Sequence, residues 1–183
     1  MIAVLYTLGA GTLLATQTLA SERLGALVCN GDLSGASPEL QNQYPSFKQR
    51  IETGPLYLAL VQRGGSPRNC QHTVESGALR LSYTFPRSAT LTAQIDPRIE
   101  FSEERADFHG LTNTEAKALL QRGEKHAFGK RGCGIAWQNP DTEESSTSRG
   151  VREEVYRGDV CNCQVRIVYE HGKISAVILR SAC

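Results

Sequence analysis

Six cysteines, Cys29, Cys70, Cys133, Cys161, Cys163 and Cys183, set the tightest limit on how this chain can fold. What they imply depends on compartment, and the N-terminus bears on that. Residues 1–20 carry no charged side chain. Ile2 to Tyr6, with Leu13, Leu14 and Ala15, make an apolar stretch of signal-peptide length, too short to cross a bilayer. Ala20 puts a small residue at the expected cleavage point and leaves Ser21 as the mature start, although the basic residues that usually precede such a stretch are missing. The expectation is a signal peptide over 1–20 and a mature domain over 21–183, periplasmic or secreted, with no membrane span after cleavage. Behind an export signal, an even number of cysteines reads as a set of disulfides. Cys161-Asn162-Cys163 is not the CxxC of a zinc ribbon or a thioredoxin-like redox site, which favours bridges over metal.

The C-terminus carries three of these cysteines and the densest β-branched stretch. Cys163, Val165, Ile167 and Tyr169 alternate with Gln164, Arg166 and Glu170, the period of a strand buried on one face. Ile174 to Leu179 is almost wholly apolar, which suits a central strand covered on both faces. His171-Gly172 fits a two-residue turn in which glycine accepts positive φ. That register sets Tyr169 opposite Ile174, Ile167 opposite Ala176 and Val165 opposite Ile178. Cys161 then arrives one step from Cys183. Cys161–Cys183 is the expected bridge, with Cys29–Cys70 and Cys133–Cys163 as the simplest completion.

The rest of the chain reads as strands in runs with few helices. Ser21–Gly25 is expected as a loose terminus and Ala26–Cys29 as a short strand. Ser37-Pro38 starts a helical segment broken near Pro45. Pro55–Gln62 reads as a strand closed by the Arg63–Pro67 turn. Ala78–Phe85 and Ala89–Ile95 alternate and should pair antiparallel, with a third strand over Arg98–Ser102 and an exposed Glu103-Glu104-Arg105. Thr112-Asn113-Thr114-Glu115 is a capping box that opens a helix running to about residue 128. Gly132–Trp137 reads as a short strand, Pro140–Gly150 as a polar mobile loop, and Val155-Tyr156 as the start of an edge strand. These elements make a single α+β domain: an antiparallel sheet of about five to seven strands, one main helix packed on a face, and disulfide staples. Strands in runs argue against a parallel doubly wound sheet.

Catalytic signatures are sparse. Gly123 to Lys130 has the wrong spacing and no hydroxyl for a phosphate loop. The four histidines have no spacing that puts two on one metal, and no serine lies in a GxSxG elbow. Asp107 and His109 share a strand face, but no nucleophile stands in a recognisable context nearby. No cofactor motif is present. A net charge of +1 with interspersed signs leaves no electrostatic footprint for nucleic acid.

The reading that follows is an exported protein-binding module without a catalytic constellation: an inhibitor, an immunity-type envelope protein or a secreted effector. The alternative is an exported hydrolase using carboxylates dispersed in the sequence, which leave no local signature. For the binder, the candidate contact residues are Trp137, Asp141, Glu143 and Glu144. They combine an aromatic anchor with an acidic tip, suited to a basic cleft on another protein.

Overall fold

The C-terminal hairpin lies near the middle of one antiparallel sheet. A computed structural model describes residues 9–32, 37–75, 78–96, 99–108, 110–128, 133–138, 140–144, 150–159 and 162–180. Its strands are β1 (Asn69–Glu75), β2 (Ala78–Thr84), β3 (Thr90–Asp96), β4 (Ile99–Asp107), β5 (Asp141–Glu144), β6 (Val151–Arg157), β7 (Gln164–Glu170) and β8 (Lys173–Arg180). They lie in the order β1-β2-β3-β4-β8-β7-β6-β5. Two four-stranded meanders thus meet along their last strands. The helices are α1 (Gly9–Asn30), α2 (Pro38–Glu52), α3 (Pro55–Gly64) and α4 (Asn113–Phe128). This is the expected single α+β domain, with β1, the short β5, α1 and α3 added to the anticipated elements, and with α2 running unbroken through Pro45 where a break was expected.

Alternation sorts the sheet into two faces. Leu79, Leu81 and Tyr83 of β2 stand opposite Ile95, Ala93 and Leu91 of β3. All six are buried in one cluster with Leu24 and Val28 of α1, Leu56 and Leu60 of α3, and Leu119 and Leu120 of α4. The other face is a net of paired polar groups over a small apolar cluster of Val168, Ala176 and Ile178. In that net Arg105 bonds Asp107 at 2.9 Å, Arg166 bonds Glu153 at 2.8 Å, and Arg180 lies 3.6 Å from Glu103. Charges of both signs are matched there, so that face has no single-sign field.

β8 serves both clusters because of a bulge. Tyr169 faces Ile174 as expected, and His171 and Gly172 take the positive φ of the turn, 51° and 77°. The register then shifts: Val168 pairs with Ala176, Ile167 with Val177 and Val165 with Leu179, not with Ala176 and Ile178. Ser175 is the extra residue, and its carbonyl accepts the Phe108 N–H at 2.8 Å. One inserted residue flips every later side chain. Val177 and Leu179 therefore join the helix-covered core, while Ala176 and Ile178 turn to the other face.

α4 packs closely on that strand. A Cβ on Gly123 would sit 2.6 Å from Leu179 Cδ1. Gly123→Val is expected to lower the unfolding free energy by about 1–3 kcal/mol through overpacking. Urea denaturation of the oxidised protein checks this, and an unchanged midpoint would show that the interface gives way freely.

Several local expectations are corrected. Residues 21–30 form the last turns of α1, not a loose end and a strand. Ser21, Leu24, Leu27 and Val28 are buried, at helical spacing. Gly25 and Cys29 lie one turn apart, Gly25 close against His72 and Cys29 bonded to Cys70 of β1. Residues 55–64 are α3, not a strand: Pro55 takes the first helical turn, and Leu56 and Leu60, four apart, are the buried pair. β1 was not anticipated, because its alternation is between exposed and half-buried positions. Residues 133–138 contain no strand. The Cys133 N–H goes to the buried Glu124 carboxylate of α4 at 2.6 Å instead of to a sheet partner. β6 is flanked by β5, so it is not the edge. Cys29–Cys70 and Cys133–Cys163 are both bridged as expected. The Cys161–Cys183 pairing and His109 lie outside the described residues.

Candidate binding site

β5 is the last described strand of the sheet; Asp141, Glu143 and Glu144 lie in it, and Trp137 packs against the neighbouring β6. Residues 141–144, expected inside a mobile loop, are a strand paired to β6: Asp141 opposite Val155, Glu143 opposite Glu153, and Glu144 opposite Arg152. The backbone finds its partners along β6, so a stretch without aliphatic residues is still ordered. Asp141 accepts from Arg157 Nε at 3.0 Å while 65% of its side chain stays exposed. Trp137 is half-buried, its ring centroid 5.1 Å from that of Tyr156. Arg157 and Tyr156 are adjacent in β6 and point to opposite faces, so Asp141 and Trp137 bracket the edge from its two sides. For Glu143 and Glu144 the structure describes strand and register only.

Behind this edge lies a polar cluster that the sequence reading passed over. Arg152, Glu154 and Tyr156 alternate on the helix-covered face, opposite Tyr169, Ile167 and Val165. The Glu154 carboxylate accepts from Arg152 at 3.0 Å and from the Tyr156 hydroxyl at 3.2 Å. Burial pushes the Glu154 carboxyl up, but bonds from Arg152 and Tyr156 together with the Arg152 charge outweigh it and hold the group below its usual range. Burial and then the Glu154 charge push both Tyr156 and Tyr169 up to about 12, so both phenols keep their protons at neutral pH. The Arg152 guanidinium lies 4.0 Å from the Tyr169 ring centroid, and Lys117 Nζ lies 5.6 Å from that of Tyr156. The Tyr169 hydroxyl donates to Asn113 Oδ1 at the start of α4. There the capping box forms as expected, with Thr112 N–H to Glu115 at 2.8 Å. The cluster makes a rigid aromatic–cationic platform under the edge strand. Its signal was present in Val151–Arg157, where arginine, glutamate and tyrosine recur every second residue.

Two carboxylates on β4 are engaged or closed off. Asp107 accepts from Arg105 and from the Thr90 hydroxyl, so its carboxylate is committed to the polar net. Glu104, expected in an exposed charge run, is 4% exposed, since it shares the core face of β4 with Ala106. Its Oε1 has no hydrogen-bond partner among the described residues. Burial pushes its carboxyl up to about 7 against the opposing pull of Arg50. Arg50 itself donates to the Ala127 carbonyl at 3.1 Å, and His126 Nε2 donates to the Arg50 carbonyl at 2.8 Å. The space that Glu104, Arg50, His126 and Ala127 line with Phe47, Ile51 and Ile95 is about 10 Å³, no larger than one water requires. A substrate does not fit there. No cluster of three metal-ligating side chains occurs among the described residues, and no described helix is long and apolar enough to cross a membrane.

In comparisons with known proteins, no family model matches this chain, and neither the curated proteins nor the solved structures give a match.

Proposed function

We propose that this chain is an exported protein-binding module, of the inhibitor, immunity or secreted-effector kind, that engages a partner through the β5 edge and Trp137. The observation that carries the reading is β5 itself. An edge strand presents unpaired backbone groups, which an extended segment of another chain completes by strand addition. Asp141, Glu143 and Glu144 make this edge acidic. A second copy is repelled by like charge, whereas a basic segment is attracted. Trp137 on the Tyr156 platform supplies the aromatic anchor such contacts usually need. The two bridges fit an oxidising compartment, and residues 1–20 are read as the export signal.

Two measurements test the parts separately. N-terminal sequencing of the exported protein is expected to begin at Ser21, and a secreted form beginning at Met1 would refute the cleavage. α1 crosses that point, but its buried turns from Ser21 onward stay with the mature domain. For binding, Trp137→Ala combined with Asp141→Lys is expected to weaken partner capture by about tenfold or more, given the weight of aromatic anchors and of charge complementarity. The melting temperature should stay close to wild type. Capture unaffected by the double substitution would move the contact elsewhere.

A further inference from the structure

We propose that the cavity between the end of α3 and the β2–β3 turn binds a small apolar carboxylate. The cavity measures about 220 Å³. That is below the roughly 300–1,000 Å³ that drug-sized ligands occupy. Leu60 and Phe108 form apolar walls, each with 2% or less of its surface exposed. Pro86 and Ala89 complete that lining, and the two charged side chains at the cavity, Arg63 and Arg87, are both basic. Among the described residues no carboxylate lines it.

The two arginines reach this place from different elements. Arg63 belongs to the last turn of α3. Arg87 sits in the turn after β2, at φ 61° and ψ 29°, and Ser88 follows at φ 59°. Residues other than glycine adopt this left-handed region at a cost. Here the turn is closed by the Phe85 N–H donating to the Ala89 carbonyl at 2.8 Å. Glycine would fit without strain, yet a long cationic side chain occupies the position, beside a second cation and over apolar walls. Apolar walls keep water from an anion bound between the guanidiniums and so strengthen both charge-assisted bonds. Arg63 divides its charge between this space, the Gly110 carbonyl at 3.4 Å and the Glu115 carboxylate, and the end of α3 adds about half an elementary negative charge, so Arg87 supplies the larger share of the attraction. The matching ligand carries one carboxylate on a compact hydrocarbon body. A short-chain free acid or the apolar C-terminal residue of a polypeptide both have that chemistry. This site lies on the β1–β4 half of the sheet and does not depend on contacts at β5.

Gly64 offers a way to fill the cavity without touching the charges. A Cβ there would meet Pro86 at 3.6–3.7 Å, ordinary contact, so a larger side chain enters the space between them. The test is amide NMR titration of the oxidised full chain with octanoate, phenylacetate, their neutral amides, and a short peptide ending in leucine with a free or amidated C-terminus. At least one carboxylate probe should shift the amides around Arg63, Arg87 and Phe108 saturably, with the matching amide at least about tenfold weaker. Arg87→Gly should weaken binding to a similar degree while leaving the melting temperature equal or higher, because glycine relieves the turn. Arg63→Gln should also weaken it, and Gly64→Leu should abolish it. Tighter binding of the free-carboxylate peptide than of octanoate identifies a polypeptide C-terminus as the source, and the reverse order identifies a free acid. The proposal fails if no carboxylate probe gives a saturable shift, if amides bind as well as acids, or if folded Arg87→Gly and Arg63→Gln bind like wild type.

Discussion

Replacing Cys29 and Cys70 together by alanine is expected to remove about 3–4 kcal/mol of unfolding free energy and roughly 10 °C of melting temperature. The bridge spans 41 residues of sequence, a loop whose closure removes entropy from the oxidised unfolded chain and none from the reduced one. The staple also has a local task. It fixes α1 on β1, a strand with no described strand beyond it, at the turn where Gly25 approaches His72. Releasing α1 would bare the apolar face of β1 and β2 that Leu24 and Val28 cover, so the variant should aggregate near its midpoint as well as melt earlier. The Cys133–Cys163 bridge closes 30 residues and should be worth a similar amount. Its loss should perturb Trp137 fluorescence as well, because Cys133 begins the segment that holds the indole. Calorimetry of the two double variants checks both. A loss under about 1 kcal/mol for either would mean that the fold does not depend on that staple.

The second large effect concerns Glu104 and runs against the usual acid lability of proteins. Its carboxyl rises from 4.5 in the open chain to about 7 when folded, chiefly through burial. The folded state therefore holds this proton more tightly than the unfolded state does. The contribution to stability is full below about pH 4.5 and is lost as pH rises toward 7. At about 1.4 kcal/mol per pH unit, the loss across that window is on the order of 2–3 kcal/mol. Glu104→Gln keeps the shape and removes the charge, and Arg50 retains the Ala127 carbonyl as partner. The variant should match wild type near pH 4.5 and exceed it by on the order of 2–3 kcal/mol at pH 8. Denaturant melts at several pH values measure the gap. A gap that does not widen with pH would show that Glu104 is ionised and adequately solvated in the folded protein.

Glu104 also shows where sequence reading stops. In Glu103-Glu104-Arg105 nothing distinguishes the buried residue from its neighbours. Only the pairing of β4 between β3 and β8 fixes which of them faces the core. Strands with strong alternation were legible in both extent and partner, as Leu79, Leu81 and Tyr83 against Ile95, Ala93 and Leu91 demonstrate. The capping box at Thr112 and the His171-Gly172 turn were legible because each needs particular residues at particular positions. Short apolar runs were not: Ala26–Cys29 and Pro55–Gln62 are compatible with either period, and tertiary packing made both helical. The Ser175 bulge left no composition signal, yet it decides which face of β8 each apolar residue covers. At the candidate site, Trp137 and Asp141 were visible as residue types. The Arg152–Glu154–Tyr156 row emerges only once β6 has β7 beside it.

The central claim is that the β5 edge is where a partner docks. It is tested most directly by placing a photoreactive residue at 143 and, as a control, at 82 on the distant half of the sheet, in otherwise wild-type oxidised protein. After irradiation in extracts of the cells that make the protein, position 143 should yield one adduct with a discrete polypeptide. Excess unlabelled wild type should compete it away, and the Trp137→Ala, Asp141→Lys variant should not; position 82 should yield none. A competable adduct from 82 and none from 143 would contradict the account.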